Sequence, residues 1–285
     1  MTDQEKPYNL PNTRRPSLPM LIAAALFIII PFMFWYGTWF GRELRVDEIE
    51  RYLNDSEHPR KIQHALTQAA QRIEHGDQPI KKLYPKIISL ADDSSPEIRM
   101  TAAWVMGQDN GSQEFHDKLL SLIKDSNPLV RSNTALSLTR FSDQAARPEL
   151  LNMLHPYTVR AEREGTVSIT LQEGDDSIAA GKLLAHITES NGQVSEVRSP
   201  IAGYLKGTAK DGAKVKVGDE LIQISPEPKQ VWETLRALYL IGKPEDIPDI
   251  ESYSHTMAHM DAQIRQQAEF TVEAIRKRSE AKTQQ

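Results

Sequence analysis

Residues 157–225 contain the same arrangement of glycines and apolar residues twice. The matched pairs are Gly165 and Gly203, Gly174 and Gly212, Gly181 and Gly218, Leu184 and Leu221, and Ile187 and Ile224. Segments of alternating polarity lie between the glycines, at 166–171, 194–197 and 213–217, and they are typical of half-buried strands. Glycine adopts the φ > 0 conformations that corners require. The duplication therefore predicts a small barrel or sandwich built from two copies of one β unit.

Part of this segment resembles lipoyl and biotinyl carrier domains. Residues 189–203 read ESNGQVSEVRSPIAG, which is similar to the signature around the modified lysine of that family. The resemblance implies an exposed hairpin whose tip carries a cofactor on a lysine, and the acceptor position falls on Gly192. Glycine has no side chain to modify, so we expect no cofactor. Asn191-Gly192 is also a favoured hairpin turn in its own right.

A second repeat, with helical periodicity, precedes the β segment. The heptapeptide Asp-Ser-Ser-Pro-Glu-Ile-Arg at 93–99 recurs as Asp-Ser-Asn-Pro-Leu-Val-Arg at 125–131, an offset of 32 residues. This offset is close to the period of a helix pair in an α-solenoid. Each copy places a polar N-cap and a proline before a predicted helix. The repeated motif residues are Asp93, Pro96 and Arg99 in the first copy and Asp125, Pro128 and Arg131 in the second.

These openings resemble HEAT repeats, particularly the short repeats also found in phycobilin lyases. The resemblance implies an α-solenoid in which the motif arginine often pairs with an aspartate of a neighbouring repeat, and it implies little about activity. The helical pattern returns after residue 228, so the β segment is inserted into one solenoid or separates two pieces of it. The predicted fold class is multidomain, α and β. Its predicted parts are a polar tail (1–15), a transmembrane helix (16–41), HEAT-like repeats (46–154), a lipoyl-like β barrel-sandwich module (156–226), C-terminal HEAT-like helices (229–279) and a tail (280–285).

Residues 16–41 contain no charged side chain and are longer than the roughly 20 residues that cross a bilayer. They predict one membrane span with a proline kink and interfacial aromatics, marked by Leu21, Ile30, Pro31, Trp35 and Trp39. A cleaved signal peptide and a twin-arginine signal at Arg14-Arg15 are the alternatives. Basic residues flank both sides, which leaves the orientation open. The basic N-terminal tail favours a bacterial inner-membrane protein with most of its chain in the periplasm.

The composition removes several classes of function. A net charge of −5 does not favour binding to a nucleic-acid backbone, and the absence of cysteine excludes disulfides and thiolate sites. His255 and His259 are spaced to face one another on a helix as metal ligands. No third ligand is evident, so we expect no metal. Without a catalytic motif, the chain is not expected to be an enzyme.

The leading functional hypothesis is a non-enzymatic, membrane-anchored scaffold or accessory subunit of an inner-membrane complex. It would bind protein partners through the HEAT-like repeats and the unmodified lipoyl-like module. One alternative is a periplasmic adaptor of a transport or secretion system, although the long helical hairpin that such adaptors insert at the module tip is missing. A bilin-lyase-like or carrier enzyme is the second alternative, and it lacks both a catalytic constellation and the acceptor lysine.

Overall fold

The computed structural model describes residues 18–39, 43–171 and 176–283. The chain divides into two compact units, Met1–Arg45 and Val46–Gln285. The predicted tail 1–15, the ends of the predicted span and Gly174 lie outside the described residues.

The first unit contains helix α1 (Leu18–Trp39), which includes all five residues that marked the predicted span, with Pro31 in its interior. Among the residues described, no helix combines the length and the apolar character that crossing a membrane requires. The segment is therefore helical as predicted, but the structure does not confirm it as a membrane span.

The helices of the second unit form successive pairs. Within its described residues they are α2 (Val46–Leu53), α3 (Pro59–Glu74), α4 (Tyr84–Leu90), α5 (Pro96–Met106), α6 (Gln113–Leu122), α7 (Pro128–Arg140), α8 (Arg147–Asn152), α9 (Pro228–Ile241), α10 (Ile247–Glu251) and α11 (Ala262–Thr283). Helices α3, α5, α7, α9 and α11 pack side by side in one layer, and each also contacts the shorter helix that precedes it. The helical part is therefore a stack of two-helix repeats.

The caps predicted from the repeated heptapeptide are present. Ser95 Oγ accepts a hydrogen bond from the backbone N–H of Ile98, and Asn127 Oδ1 accepts from Leu129 and Val130. Proline occupies the first turn of both helices, where its missing N–H costs nothing. These local signals determine where α5 and α7 begin.

The β segment lies within the fourth helix pair, between α8 and α9. Pro228, at the start of α9, follows Pro128 by 100 residues. This separation equals one 32-residue period plus 68 residues, and 68 residues is about the length of the β segment. Helix α9 nevertheless packs directly on α7 and α8. Gln230 Nε2 also donates to the Met153 carbonyl at 3.0 Å. The helices on both sides thus belong to one stack, and the β segment leaves and rejoins it at one turn.

The β segment forms two four-stranded antiparallel sheets. Its strands are β1 (Tyr157–Arg160), β2 (Gly165–Ile169), β3 (Ser177–Ile178), β4 (Leu183–Thr188), β5 (Val194–Arg198), β6 (Gly203–Thr208), β7 (Lys214–Val215) and β8 (Glu220–Pro226). The strand orders are β1-β8-β6-β3 and β5-β4-β2-β7. Each sheet takes strands from both copies of the duplicated unit, and both sheets contribute to one buried core. Over the described residues the sheets do not close into a barrel, so the sandwich form of the prediction applies.

Two of the matched glycines have a different role from the one predicted. Gly165 and Gly203 are not at φ > 0 corners; they lie where two strands approach closely. A Cβ on Gly165 would lie 2.4 Å from the Thr188 carbonyl oxygen, and one on Gly203 would lie 2.2 Å from that of Ser225. The equivalent positions in the two copies therefore exclude a side chain for the same steric reason.

Candidate protein-binding groove

The repeated motif residues join one repeat to the next. Arg99 forms a bidentate ion pair with Asp125, with Nε–Oδ2 at 2.8 Å and Nη2–Oδ1 at 2.9 Å. Its Nη1 also donates to the carbonyls of Asp93 and Ser94. The hydrogen bonds from Arg99 lower the pKa of the Asp125 carboxyl from its usual value. The side chains of both partners are largely buried, at 14% and 9% exposure, so the pair contributes to the packing between repeats.

Arg131 repeats this arrangement one period later. Its Nη1 donates to the carbonyls of Asp125 and Ser126, as Arg99 does to those of its own turn. Its Nε donates to Glu149 Oε2 at 3.2 Å, so a glutamate replaces the aspartate at this step. Because these arginines are engaged within the stack, the motif is a structural element and not a ligand site.

The tip of the β4–β5 hairpin is a tight turn that offers no acceptor side chain. Gly192 has φ +83° and its N–H donates to the Glu189 carbonyl at 2.9 Å. Asn191 Oδ1 accepts from the backbone N–H of Gln193 at 2.8 Å. The connection between β4 and β5 is short, and no helical hairpin is inserted there.

The proposed histidine pair is not on a helix, which corrects the sequence interpretation. Asp261 caps α11 by accepting from the N–H groups of Gln263 and Ile264, so the helix begins only at Ala262, after both histidines. His259 has φ +63° and stacks on Tyr204 of β6, with ring centroids 4.0 Å apart. His255 is exposed. Within the described parts of the chain, no cluster of three or more potential ligands is placed to hold a metal.

A groove of about 910 Å³ runs across α5, α7, α9 and α11. Its lining comprises Trp104 from α5, Gln108 from the turn after α5, Asn133, Leu136, Ser137, Thr139 and Arg140 from α7, Lys229, Glu233, Arg236, Ala237, Tyr239 and Leu240 from α9, and Gln267 and Phe270 from α11. We call this surface the helical groove. It lies on the layer formed by the second helix of each pair, so successive repeats each contribute to it.

Exposed apolar side chains are concentrated in the helical groove. Trp104, Tyr239, Leu240 and Phe270 are 40%, 43%, 59% and 51% exposed, respectively. In the described part of the second unit, only three other large hydrophobic side chains are exposed, namely Val194, Val217 and Met257. Exposed apolar residues gathered around one groove, with polar neighbours, are typical of an interaction site.

Hydrogen bonds join neighbouring helices of the layer that carries the helical groove. Ser137 Oγ donates to the Ala103 carbonyl at 2.9 Å, which joins α7 to α5. Thr271 Oγ1 donates to the Leu235 carbonyl at 3.0 Å, which joins α11 to α9 in the same way. A Cβ on Gly107 would lie 2.6 Å from Ser137 Oγ, so glycine is needed for this close approach. These contacts fix the spacing of the groove walls.

The helical groove carries more positive than negative side chains. Arg140, Lys229 and Arg236 line it, against the single carboxylate of Glu233. The Arg236 guanidinium lies 4.5 Å from the centroid of the Trp232 ring, in cation–π contact. The whole chain has a net charge of −5, so the groove is a local exception.

Sequence reasoning predicted partner binding on the repeats but did not identify these residues. The sequence feature that could have revealed them is a large apolar residue at a helical position that does not belong to the buried face. Trp104, for example, stands between the fully buried Ala103 and Val105. Its position relative to Phe270, on a helix far along the chain, required the fold.

A model of the HEAT repeat family matches residues 84–165, which include α4 to α8 and the start of the β segment. Among solved structures, the chain is similar to the designed armadillo repeat protein YIII(Dq)4CqI, at 14% identity and a TM-score of 0.33. That alignment covers 81% of this chain and 100% of the designed protein. No curated protein matches the sequence. The helices within residues 84–165 are thus HEAT-like, and repeats of this kind are typical of protein-interaction scaffolds.

Proposed function

We propose that this protein is a non-enzymatic scaffold that binds a segment of a partner protein in the helical groove. The observation that carries the proposal is the group of exposed residues Trp104, Tyr239, Leu240 and Phe270, all of which line one groove on hydrogen-bonded helices. Tryptophan, tyrosine and arginine dominate the binding energy of protein interfaces, and this groove contains all three. Stacked repeats also provide the extended surface that such a segment needs.

The dimensions of the groove favour a polypeptide over a small molecule. Four helices packed side by side at about 8–10 Å place the outer walls roughly 25–30 Å apart. An extended chain rises about 3.3 Å per residue, so roughly eight residues of a partner would cross the groove. A partner of that length meets side chains from every helix that lines it.

The test compares partner capture by wild type with capture by a Trp104→Ala/Phe270→Ala variant, using a photo-crosslinker at Leu240. Loss of two aromatic anchors of about 2 kcal/mol each should weaken binding more than 100-fold. Val217→Ala, at a residue that is 68% exposed and outside the groove, is the control and should bind normally. The proposal fails if the double variant keeps its melting temperature and still captures the same partner.

Attachment to a membrane through α1 is the second part of the proposal. Large apolar side chains of α1 are exposed, among them Phe27 at 83% and Ile30 at 61%, and the helix contains no charge. Exposed large apolar side chains on an uncharged helix are stabilised by an apolar environment. Resistance of the protein to alkaline carbonate extraction supports this part, and release into the supernatant contradicts it.

The proposed location is the periplasmic side of a bacterial inner membrane, within a multi-subunit complex. Its support is the set of basic residues before α1, which are Lys6, Arg14 and Arg15. An alkaline phosphatase fusion at Gln285 should be active if this is correct. Strong fluorescence from green fluorescent protein fused at the same position would indicate a cytoplasmic C-terminus and contradict the proposed location. The likeness of the β segment to carrier domains stays a prediction.

A further inference from the structure

We propose that the helical groove selects a partner segment that combines acidic residues with large apolar ones. This inference rests on the proposed function and names the chemistry of the partner. Its basis is the position of positive charges beside the apolar anchors.

The cations of the helical groove differ from those that stabilise the stack. Arg99, Arg131 and Arg147 each pair with a carboxylate of the protein itself. Neither Lys229 nor Arg236 has a carboxylate within ion-pair distance among the residues that the structure describes. Their charge is therefore available to a ligand.

Arg140 is a third cation without a carboxylate partner in the described residues. Its Nη1 donates to the Gly107 carbonyl at 3.1 Å and to the side chain of Gln108. These contacts hold the guanidinium at the α5–α7 side of the groove while leaving its charge uncompensated. A carboxylate of a bound segment would supply the missing negative charge.

Three charged residues and one large apolar residue follow one another along one face of α9. Lys229, Glu233, Arg236 and Leu240 are spaced by four, three and four residues, so they form a single stripe. Arg236 is in cation–π contact with Trp232, and its planar guanidinium suits a bidentate carboxylate. Leu240 follows one turn later on the same stripe. A complementary segment therefore places an acidic residue close to a large apolar one.

A nucleic acid is a poorer occupant than an acidic peptide. Phosphate backbones are bound by arrays of cations. Within the described residues, this groove has only three cationic side chains, and the carboxylate of Glu233 lies between two of them along α9. The protein as a whole is negatively charged, which opposes the approach of a polyanion. A short acidic segment with apolar side chains satisfies both the charge and the exposed aromatic residues.

The experiment is a selection of random 12-residue peptides displayed on phage against the full chain. Wild type should enrich peptides with aspartate or glutamate next to leucine or an aromatic residue. A Lys229→Glu/Arg236→Glu variant should select basic residues in place of acidic ones while keeping the apolar preference. The best wild-type peptide should bind this variant at least 100-fold more weakly, and the loss should shrink as salt is added.

A matched control variant reverses the charge of two lysines that lie outside the groove. Lys210→Glu/Lys216→Glu alters two exposed lysines of the β segment and should leave the selection unchanged. If the charge-reversed groove variant melts early, the milder Lys229→Gln/Arg236→Gln variant should still lose the acidic preference.

The outcomes separate this inference from the proposed function. Enrichment without acidic residues, or an acidic preference that survives charge reversal, overturns the inference while the groove remains a peptide site. Peptides that bind the Trp104→Ala/Phe270→Ala variant as well as wild type overturn both. Displacement of the selected peptides by a 12-nucleotide single strand would show that the groove takes a polyanion, and this too overturns the inference.

Discussion

Replacing Arg147 with methionine should destabilise the protein by about 3 kcal/mol, because it leaves a buried carboxylate without its counter-charge. Arg147, at the start of α8, donates from Nε to Asp246 Oδ2 at 2.9 Å and from Nη2 to Asp246 Oδ1 at 2.6 Å. The two residues are 99 positions apart and lie on opposite sides of the β segment. The pair therefore ties the C-terminal helices to the repeats that precede the insertion.

The magnitude follows from the burial of the two partners. The side chain of Asp246 is 1% exposed and that of Arg147 is 14% exposed, so solvent screens the pair weakly. Removing one member of a buried pair costs about 3–5 kcal/mol. The lower end applies because the backbone N–H of Lys243 still donates to Asp246 Oδ2 at 2.8 Å in the variant. Changing Asp246 to asparagine in the same chain should restore part of the loss, because no buried charge then remains.

The assay is urea unfolding of the full chain followed by circular dichroism at 222 nm. Arg160→Met is the matched control, since Arg160 pairs with Glu220 on the surface, where both side chains are more than half exposed. Exposed pairs contribute about 0–1 kcal/mol, so this variant should unfold almost like wild type. Two results would refute the reasoning. The first is that Arg147→Met loses no more unfolding free energy than Arg160→Met. The second is that the Arg147→Met/Asp246→Asn double variant loses more unfolding free energy than the two single variants lose together.

Three further predictions concern other parts of the molecule. Gly203→Ala should lower the free energy of unfolding by about 1–3 kcal/mol, because the added Cβ would lie 2.2 Å from a backbone oxygen. Gly207→Ala is the control and should change it by less than about 1 kcal/mol, because nothing lies within 4 Å of its added Cβ. Thermal melting compares the two variants. The lowered pKa of the Asp125 carboxyl, caused by Arg99, means that this group stabilises the fold above its unfolded pKa and loses that effect as pH falls through the lower folded value. Urea midpoints below about pH 4 should therefore fall less steeply in Asp125→Asn than in wild type. Protein purified from its own host should show no lipoyl or biotinyl mass increment by intact mass spectrometry, since Gly192 occupies the acceptor position; such an increment would disprove this.

The parts of the fold that could be predicted from the sequence are those encoded locally or by repetition. The caps at Ser95 and Asn127 depend on a side chain and the N–H groups two or three residues later, so the heptapeptide is enough to locate them. The glycine pairs likewise marked equivalent positions in the two sheets. Even there the reason was missed for Gly165 and Gly203, because a close approach between strands is a tertiary property.

The parts that could not be predicted depend on contacts between distant residues or on competing local signals. The four-residue spacing of His255 and His259 suits a helix, but the cap at Asp261 starts the helix after them. The helical groove joins Trp104 to Phe270, and no periodicity relates residues so far apart. The membrane span was predicted from the length and apolar composition of residues 16–41 and from the aromatic residues at its end, and the structure confirms only a helical conformation for 18–39.

The pairing of β1 with β8 determines how the molecule would respond to tension. Tyr157 lies opposite Ile224, so the two ends of the β segment leave the sheet side by side and a pull on them would open the strands one residue pair at a time. This is the mechanically weak direction of an antiparallel pair. The contacts of Arg147 with Asp246 and of Gln230 with Met153 connect the helices on both sides of that point, so they bear the load first. A force applied along the helical stack would then pass from α8 to α9, and the β segment would remain folded outside its path.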